Sequence, residues 1–280
     1  MAYRGLQKLL DAVPVPVERT PLPAPAGRVQ VEHVSATTPD GRAMALHGAN
    51  FSVSPGEVVG IIGASGAGKT TLARVLANAA VPKAGTVRID GARYGDWDDE
   101  ELAKHIGYLP QRIELFDGTV AANIAAFSPP MDEDGVPSGP RVVEAATAAG
   151  AHELILRLPN GYETMLGHGG AGLSPGQAQR IALARAFYGN PRIVVLDEPN
   201  SHLDTDGEVA LVGAIETVKA RNGVVFVVAH RVGVINIVDK IVVLHEGRVV
   251  EAGPRDAVLA KLAGAAKPAA QSVALVSAQP

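Results

Sequence analysis

Residues 63 to 70 read Gly-Ala-Ser-Gly-Ala-Gly-Lys-Thr, a spacing suited to holding phosphate. Glycines at Gly63, Gly66 and Gly68 let successive backbone N–H groups turn inward and form a nest for an anion. Ala64, Ser65 and Ala67 lie between them, and Thr71 follows. A helix starting at Lys69 brings the positive end of its dipole under the same anion. Lys69 can then reach β- and γ-phosphates, and the Thr70 hydroxyl can ligate Mg²⁺. The bland alternative is a glycine-rich turn with a chance lysine. An apolar strand before the loop and a helical pattern after it argue against that.

A second cluster closes the run Ile193-Val194-Val195-Leu196-Asp197-Glu198. A buried strand would leave both carboxylates at its C-terminal edge, where open α/β sheets bind ligands. Asp197 can hold Mg²⁺ through water, and Glu198 can orient and deprotonate an attacking water. Alone, such a pair is an ordinary charged strand end. Beside a phosphate loop it becomes a hydrolytic site.

These groups need a scaffold, and the pattern supplies one. Val29–Val34, Ala49–Val53, Glu57–Ile62, Arg192–Leu196 and Val224–Ala229 read as strands. Ile241–Leu244 and Arg248–Glu251 read as a hairpin around Glu246-Gly247. Lys69–Ala79 and Thr205–Ala220 read as helices. Strands alternating with helices predict an α/β fold with a mostly parallel sheet. From about residue 112 to 190 the pattern is mostly helical, broken by the loop SPPMDEDGVPSGP, and reads as an inserted helical subdomain.

The ends differ from the middle. Leu6, Leu9, Leu10 and Val13 predict a short amphipathic helix over residues 3–13, and a proline-rich linker runs from Pro14 to Gly27. The expected domain spans residues 28–262, with a tail rich in Ala, Pro and Ser at 263–280. The chain has 280 residues, a net charge of -4 and no cysteine. Thiol chemistry and disulfides are excluded, and nothing points to nucleic acid as a partner. No apolar run reaches the roughly 18 residues of a membrane-spanning helix. The chain alone reads as soluble.

Leu173-Ser174-Pro175-Gly176-Gln177, followed by AQRIALARAF, resembles the signature of ABC ATPases. Gln111 in YLPQ resembles the family's Q-loop, Ser201-His202-Leu203-Asp204 its D-loop, and His230 in VVAHR its switch histidine. The resemblance covers about Val29 to Leu262. It implies a P-loop NTPase core, an N-terminal antiparallel β subdomain and an inserted helical subdomain. It implies ATP and Mg²⁺, and a head-to-tail dimer closing on two nucleotides. Gln111 would contact Mg²⁺ and the attacking water. Ser174, Gly176 and Gln177 would grip the γ-phosphate bound to the opposite subunit. In its own site His230 would bind the γ-phosphate and hold Glu198 and the attacking water in place, and Asp204 would couple the two sites.

The stretches HIGYLPQRIELFDGTVAANIA, LPNGYETMLGHGGAGLSPGQ and VDKIVVLHEGRVVEAGPRDAVL are similar to the ATPase of type I protein-secretion systems, in the branch that exports proteases. That similarity implies a six-helix membrane domain ahead of the ATPase, at the cytoplasmic face of a bacterial inner membrane. It also implies a periplasmic adaptor and an outer-membrane channel. The helix at residues 3–13 would lead out of the membrane domain. A soluble ABC ATPase of DNA repair or translation is the other reading, but one cassette without heptads speaks against it. A non-hydrolysing module is opposed by intact Lys69, Asp197, Glu198 and His230.

Four positions depart from the family pattern. Pro175 stands for a usual glycine and removes an N–H, which predicts weaker phosphate capture. His168 stands where many exporters are acidic, and His202 is unusual in the D-loop. No aromatic residue occurs near Thr38, where one would stack on adenine. Affinity must then come mainly from the phosphates, with little discrimination between ATP and GTP.

Overall fold

The computed structural model describes residues 22–127, 139–229 and 235–263. The expected entry helix at 3–13, most of the linker, the loop SPPMDEDGVPS, His230 and the tail beyond residue 263 lie outside the described residues.

The strands in the first half of the chain are β1 (Val29–Thr37), β2 (Met44–Val53), β3 (Val58–Gly63), β4 (Ala84–Ile89), β5 (Ala92–Arg93) and β6 (Ile106–Leu109). The second half adds β7 (Gly118–Thr119), β8 (Met165–Leu166), β9 (Ile193–Asp197), β10 (Val224–Val228), β11 (Lys240–His245) and β12 (Arg248–Pro254). The α-helices are α1 (Lys69–Leu76), α2 (Asp99–His105), α3 (Val120–Ile124), α4 (Gly139–Ala148), α5 (His152–Leu156), α6 (Pro175–Phe187) and α7 (Thr205–Ala220). Residues 255–263 are also helical.

The central sheet has the order β12-β11-β3-β10-β9-β6. Its strands from β11 to β6 run parallel, and β12 is antiparallel to β11. An antiparallel sheet of order β2-β1-β4-β5 stands beside it. The short pair β7-β8 and helices α3 to α6 fall between β6 and β9 in the chain.

Strand periodicity divides the apolar residues between two cores, because successive side chains point to opposite faces. Val194, Leu196, Val225 and Val227 join the core under α6 and α7. Their neighbours Ile193, Val195, Val224, Phe226 and Val228 join the core shared with α1 and the antiparallel sheet. All ten residues of β9 and β10 are buried, which explains why both read as unbroken apolar runs.

The sequence reading missed β4 and β6. The run AGTVRI buries only Val87 and Ile89, and IGYL has only 4 residues. Helix α1 also stops earlier than its pattern predicts. Asn78 takes φ 55°, and the N–H groups of Ala79 and Asn78 bond back to Arg74 and Val75 carbonyls at 2.8 and 3.1 Å. This is a left-handed helix stop satisfied by its own last carbonyls.

Gly107 shows how tightly β6 is held. A Cβ there would lie 1.8 Å from the Ala186 carbonyl oxygen of α6 and 2.9 Å from Pro191. Backbone atoms cannot yield as a flexible side chain can. Gly107→Ala should therefore destabilise the fold by about 1–3 kcal/mol or more, read as a lower denaturant midpoint at unchanged slope. An unchanged midpoint would show that β6 and α6 can separate freely.

The described end of the linker is pinned. The N–H groups of Ala26, Gly27 and Arg28 all donate to the Asp90 carboxylate, at 2.6, 3.2 and 2.9 Å. Arg192, just before β9, donates from Nε to the Pro25 carbonyl at 3.1 Å.

Candidate functional site

The parallel strands bring their C-terminal ends to one edge of the central sheet, and the chemistry read from the sequence collects there. Strand β3 runs into the loop Gly63–Gly68, and α1 begins at Lys69. Strand β9 ends at Asp197, paired with Val228 of β10. Strand β6 ends two residues before Gln111, with Leu109 beside Leu196 of β9.

The loop needs its glycines for two reasons. Gly63, Gly66 and Gly68 take φ of 155°, 76° and 97°, a region where side chains are strained. A Cβ at Gly63 would meet the Leu244 carbonyl oxygen at 2.2 Å, and one at Gly68 the Ala45 carbonyl oxygen at 2.4 Å. At Gly66 the space is open, so only its conformation demands glycine there. Farther along, the Gly247 N–H donates to Ala67 at 3.1 Å, tying the β11-β12 turn to the loop.

Lys69 is 6% exposed and curls back over the loop. Its Nζ donates to the carbonyls of Gly63 at 3.0 Å and Ala64 at 2.8 Å. Burial lowers its pKa, and the nearby carboxylates of Glu198 and Asp197 oppose that shift. Thr70 is half-buried and Thr71 is buried, both on the first turn of α1.

Asp197 is 1% exposed. Glu198 takes φ 55°, which costs a residue with a side chain roughly 1–3 kcal/mol. The surroundings hold it there. Its N–H donates to Val228 at 3.2 Å, and its carbonyl accepts from the Ser201 N–H at 3.2 Å and Oγ at 3.1 Å. Strain kept at a carboxylate beside a phosphate loop marks a site where direction matters more than local stability.

Ser174 caps α6. Its Oγ accepts from the Gln177 N–H at 3.3 Å, and Gln177 Oε1 accepts from the Ser174 N–H at 2.8 Å. The cap uses the side-chain acceptors, so the Ser174 O–H, the Gln177 side-chain N–H groups and the Gly176 N–H remain as donors for an anion. Pro175 occupies the first helical position. There its φ is already helical and its missing N–H would have no partner within the helix. The substitution read as a weakness thus also stiffens the helix start.

A cleft of about 470 Å³ opens at this point, with Ser174, Gly176, Gln177, Arg180, His202 and Asp204 in its wall. Residues 63–71 are not among its lining. Asp204 caps α7 by accepting from the Gly207 N–H at 2.9 Å, and its carboxylate pairs with Arg180. The backbone bond first, then the arginine, lowers its pKa. His202 takes φ 70° and presents its carbonyl to α6, 2.9 Å from where a Gly176 Cβ would sit.

Gln111 is exposed just past β6. Thr38 lies in the β1–β2 turn, with Oγ1 donating to Asp40 at 2.5 Å. His33 sits at a bulge of β1 facing Gly85 of β4, and Arg42 is paired with Asp40 in the turn. Met44, at the start of β2, is 43% exposed and precedes Ala45, whose carbonyl packs on Gly68. Met44 went unnoticed in the sequence, because only the fold lays β2 over the loop. His168 opens a short 3₁₀ turn, His168–Gly170.

The chain is similar to known proteins in sequence and in fold. The family model for ABC transporters matches residues 46–201. The chain is 46% identical over 261 residues to the type I secretion system ATP-binding protein PrsD of Rhizobium meliloti, covering 93% of this chain and 44% of that protein. It is 43% identical to an ATP-dependent lipid A-core flippase of Chromobacterium violaceum, covering 85% of this chain and 40% of the flippase. A bacterial Atm1-family ABC exporter solved with ATP bound superimposes with a TM-score of 0.78 at 33% identity, over 92% of this chain and 45% of the exporter. The chain thus spans less than half the length of these relatives. The family model over residues 46–201, with relatives 46% and 43% identical over most of this chain, places it in the ABC transporter family.

Proposed function

We propose that this chain is the ATP-hydrolysing motor of an exporter, residues 28–262 forming the ATPase with 112–190 as its helical part, and that it works as a head-to-tail pair. The observation that carries this reading is the division of the site. Lys69 follows β3 at the sheet edge where β9 ends in Asp197, whereas Ser174 lines a separate cleft that does not include residues 63–71. One chain thus offers two incomplete halves. A two-fold pair would complete both, each using the same surface of both subunits.

The loop N–H groups and Lys69 bind and orient the phosphates of ATP. Glu198 holds the attacking water and takes its proton as the water oxygen bonds to the γ-phosphorus and ADP departs. Ser174, Gly176 and Gln177 of the other chain donate to the γ-phosphate oxygens, with the α6 dipole behind them. In the proposed roles Gln111 contacts the attacking water and senses the membrane partner, and Asp204 links the halves. His230 is assigned by the family pattern. Thr70, Asp197 and Gln111 supply oxygen donors that fit Mg²⁺, a hard cation. Bound there, Mg²⁺ would neutralise developing phosphate charge.

A membrane domain is the proposed partner. A second cleft of about 1390 Å³ is lined by Lys104, Arg141, Arg185, Arg192 and Arg221 against the single carboxylate of Glu100. Phe127 on its rim is 43% exposed and meets the 57% exposed Phe116 edge to face, with ring centroids 6.2 Å apart. A basic cleft with an aromatic rim suits an acidic, partly apolar segment. The names of PrsD and of the cyclolysin secretion protein CyaB of Bordetella pertussis, 39% identical, favour export of a protein. A periplasmic adaptor, an outer-membrane channel and a place at the inner cytoplasmic face belong to that reading. Among the described residues no helix is long and apolar enough to cross a membrane.

The test is assembly. ATP binding the pair better than the single chain should drive association. The ATPase rate should therefore rise more than linearly with protein concentration. Light scattering should report a doubled mass only with Mg-ATP, most persistently in Glu198→Gln. A strictly linear rate from a species that stays monomeric would refute the pair.

A further inference from the structure

Helix α6 carries more than its N-terminal cap. Gln179, one turn inside it, is 2% exposed, and its Nε2 donates to the Pro199 carbonyl at 2.8 Å. Its Oε1 is buried and has no hydrogen-bond partner among the described residues. A buried amide that leaves its oxygen unsatisfied costs free energy. An apolar residue of that size would pack without the cost. What the amide supplies is one donor to one carbonyl, and that carbonyl belongs to the residue after Glu198.

Two further contacts run along the same strip. Arg180 pairs with Asp204 and donates to the Gly150 carbonyl at 3.0 Å. Gly176 lets the His202 carbonyl approach to where a Cβ would lie 2.9 Å away. The segment from Glu198 to Asp204 is therefore strapped to the first two turns of α6, at Gly176, Gln179 and Arg180. Proline at 199 has no N–H, so the segment has no backbone donor of its own there. Glu198 remains in its left-handed conformation with a bond on each side: Val228 and Ser201 hold Glu198 itself, and Gln179 holds the next residue.

We propose that Gln179 is a positioning residue that links the aim of Glu198 to the seating of its own chain's signature helix. The inference rests on the dimer reading above. In a head-to-tail pair, α6 of one chain meets the nucleotide held by the other chain, and Glu198 serves the nucleotide of its own chain. A shift of α6 on engaging one nucleotide would be passed through the Gln179 amide to Pro199, and so to the carboxylate at the other nucleotide. The two sites would then fire together.

The experiment uses the full 280-residue chain with Gln179→Leu, which removes the donor and the unpaired acceptor together. Gln179→Met is made in parallel; it keeps the length of the side chain and offers no donor. Both should lower kcat about tenfold, the rate equivalent of one lost hydrogen bond. Their KM for Mg-ATP should stay within about twofold, because the phosphate loop is untouched. The Hill coefficient for ATP should fall to one. A merely structural role would lower thermal stability and move kcat and KM together, or move neither. Wild-type kcat and cooperativity in either folded variant would overturn the proposal, and so would loss of ATP affinity matching the loss of kcat. A wild-type chain that hydrolyses ATP without cooperativity would overturn the dimer reading and this coupling with it.

Discussion

Glu198→Gln should bind Mg-ATP as the wild type does and turn it over about 10²–10⁴-fold more slowly, the usual effect of removing a general base. The backbone argument sharpens this expectation. The left-handed φ of 55° is imposed by contacts to the main chain of Glu198, from Val228 and Ser201. Replacing a carboxylate oxygen with an amide leaves those contacts alone. The side chain should keep its direction and lose only its basicity. Single-turnover kinetics separate the two: binding amplitude is preserved while the chemical step slows. Near-normal turnover would mean that another group activates the water. A loss of binding as large as the loss of rate would mean that the amide disturbs the loop.

Lys69→Ala should act on the other side of the same chemistry. Charge-assisted hydrogen bonds contribute about 1.5–3 kcal/mol each, so removing the ammonium should weaken ATP binding by roughly 10- to 100-fold. Turnover should fall as well, since the transferring phosphoryl group loses a cation. The variant should still fold. Burial already lowers the lysine's pKa, which means that its charge is held at some cost to the protein. Calorimetric titration with ATP, beside thermal unfolding without it, reads both effects. Unchanged affinity would show that the loop amides hold the phosphates alone.

Both predictions concern residues visible in the sequence, and the reason is physical. A phosphate nest needs glycine at fixed intervals, and a buried strand ending in two acids breaks an apolar run abruptly. Each rule is local, so each leaves a local trace. The capped start of α6 was legible as a motif, but the use of Pro175 was not, because its meaning depends on occupying the first helical position. Gln179 and Arg180 stand in the run that follows the signature, but their contacts left no trace. Their partners Pro199 and Asp204 lie 20 and 24 residues away, and only packing brings them together. Strand β4 buries only Val87 and Ile89, and β6 has only 4 residues, so neither carries an apolar run that stands out. Strand β6 is legible only through its neighbour β9, which lends it a register from Ile106 to Leu109.

The clamp at Asp90 has a mechanical meaning. One carboxylate takes three consecutive N–H groups, and Arg192 takes the carbonyl just before them. Tension on the chain from its N-terminal side is therefore met by several bonds in parallel at the threshold of β1. That strand lies between β2 and β4, so a pull along it must shear two ladders at once and cannot peel them bond by bond. Arg192 passes part of the load to the foot of β9, whose far end carries Asp197. A pull at Pro25 would thus reach the strand that ends in Asp197 as well as β1.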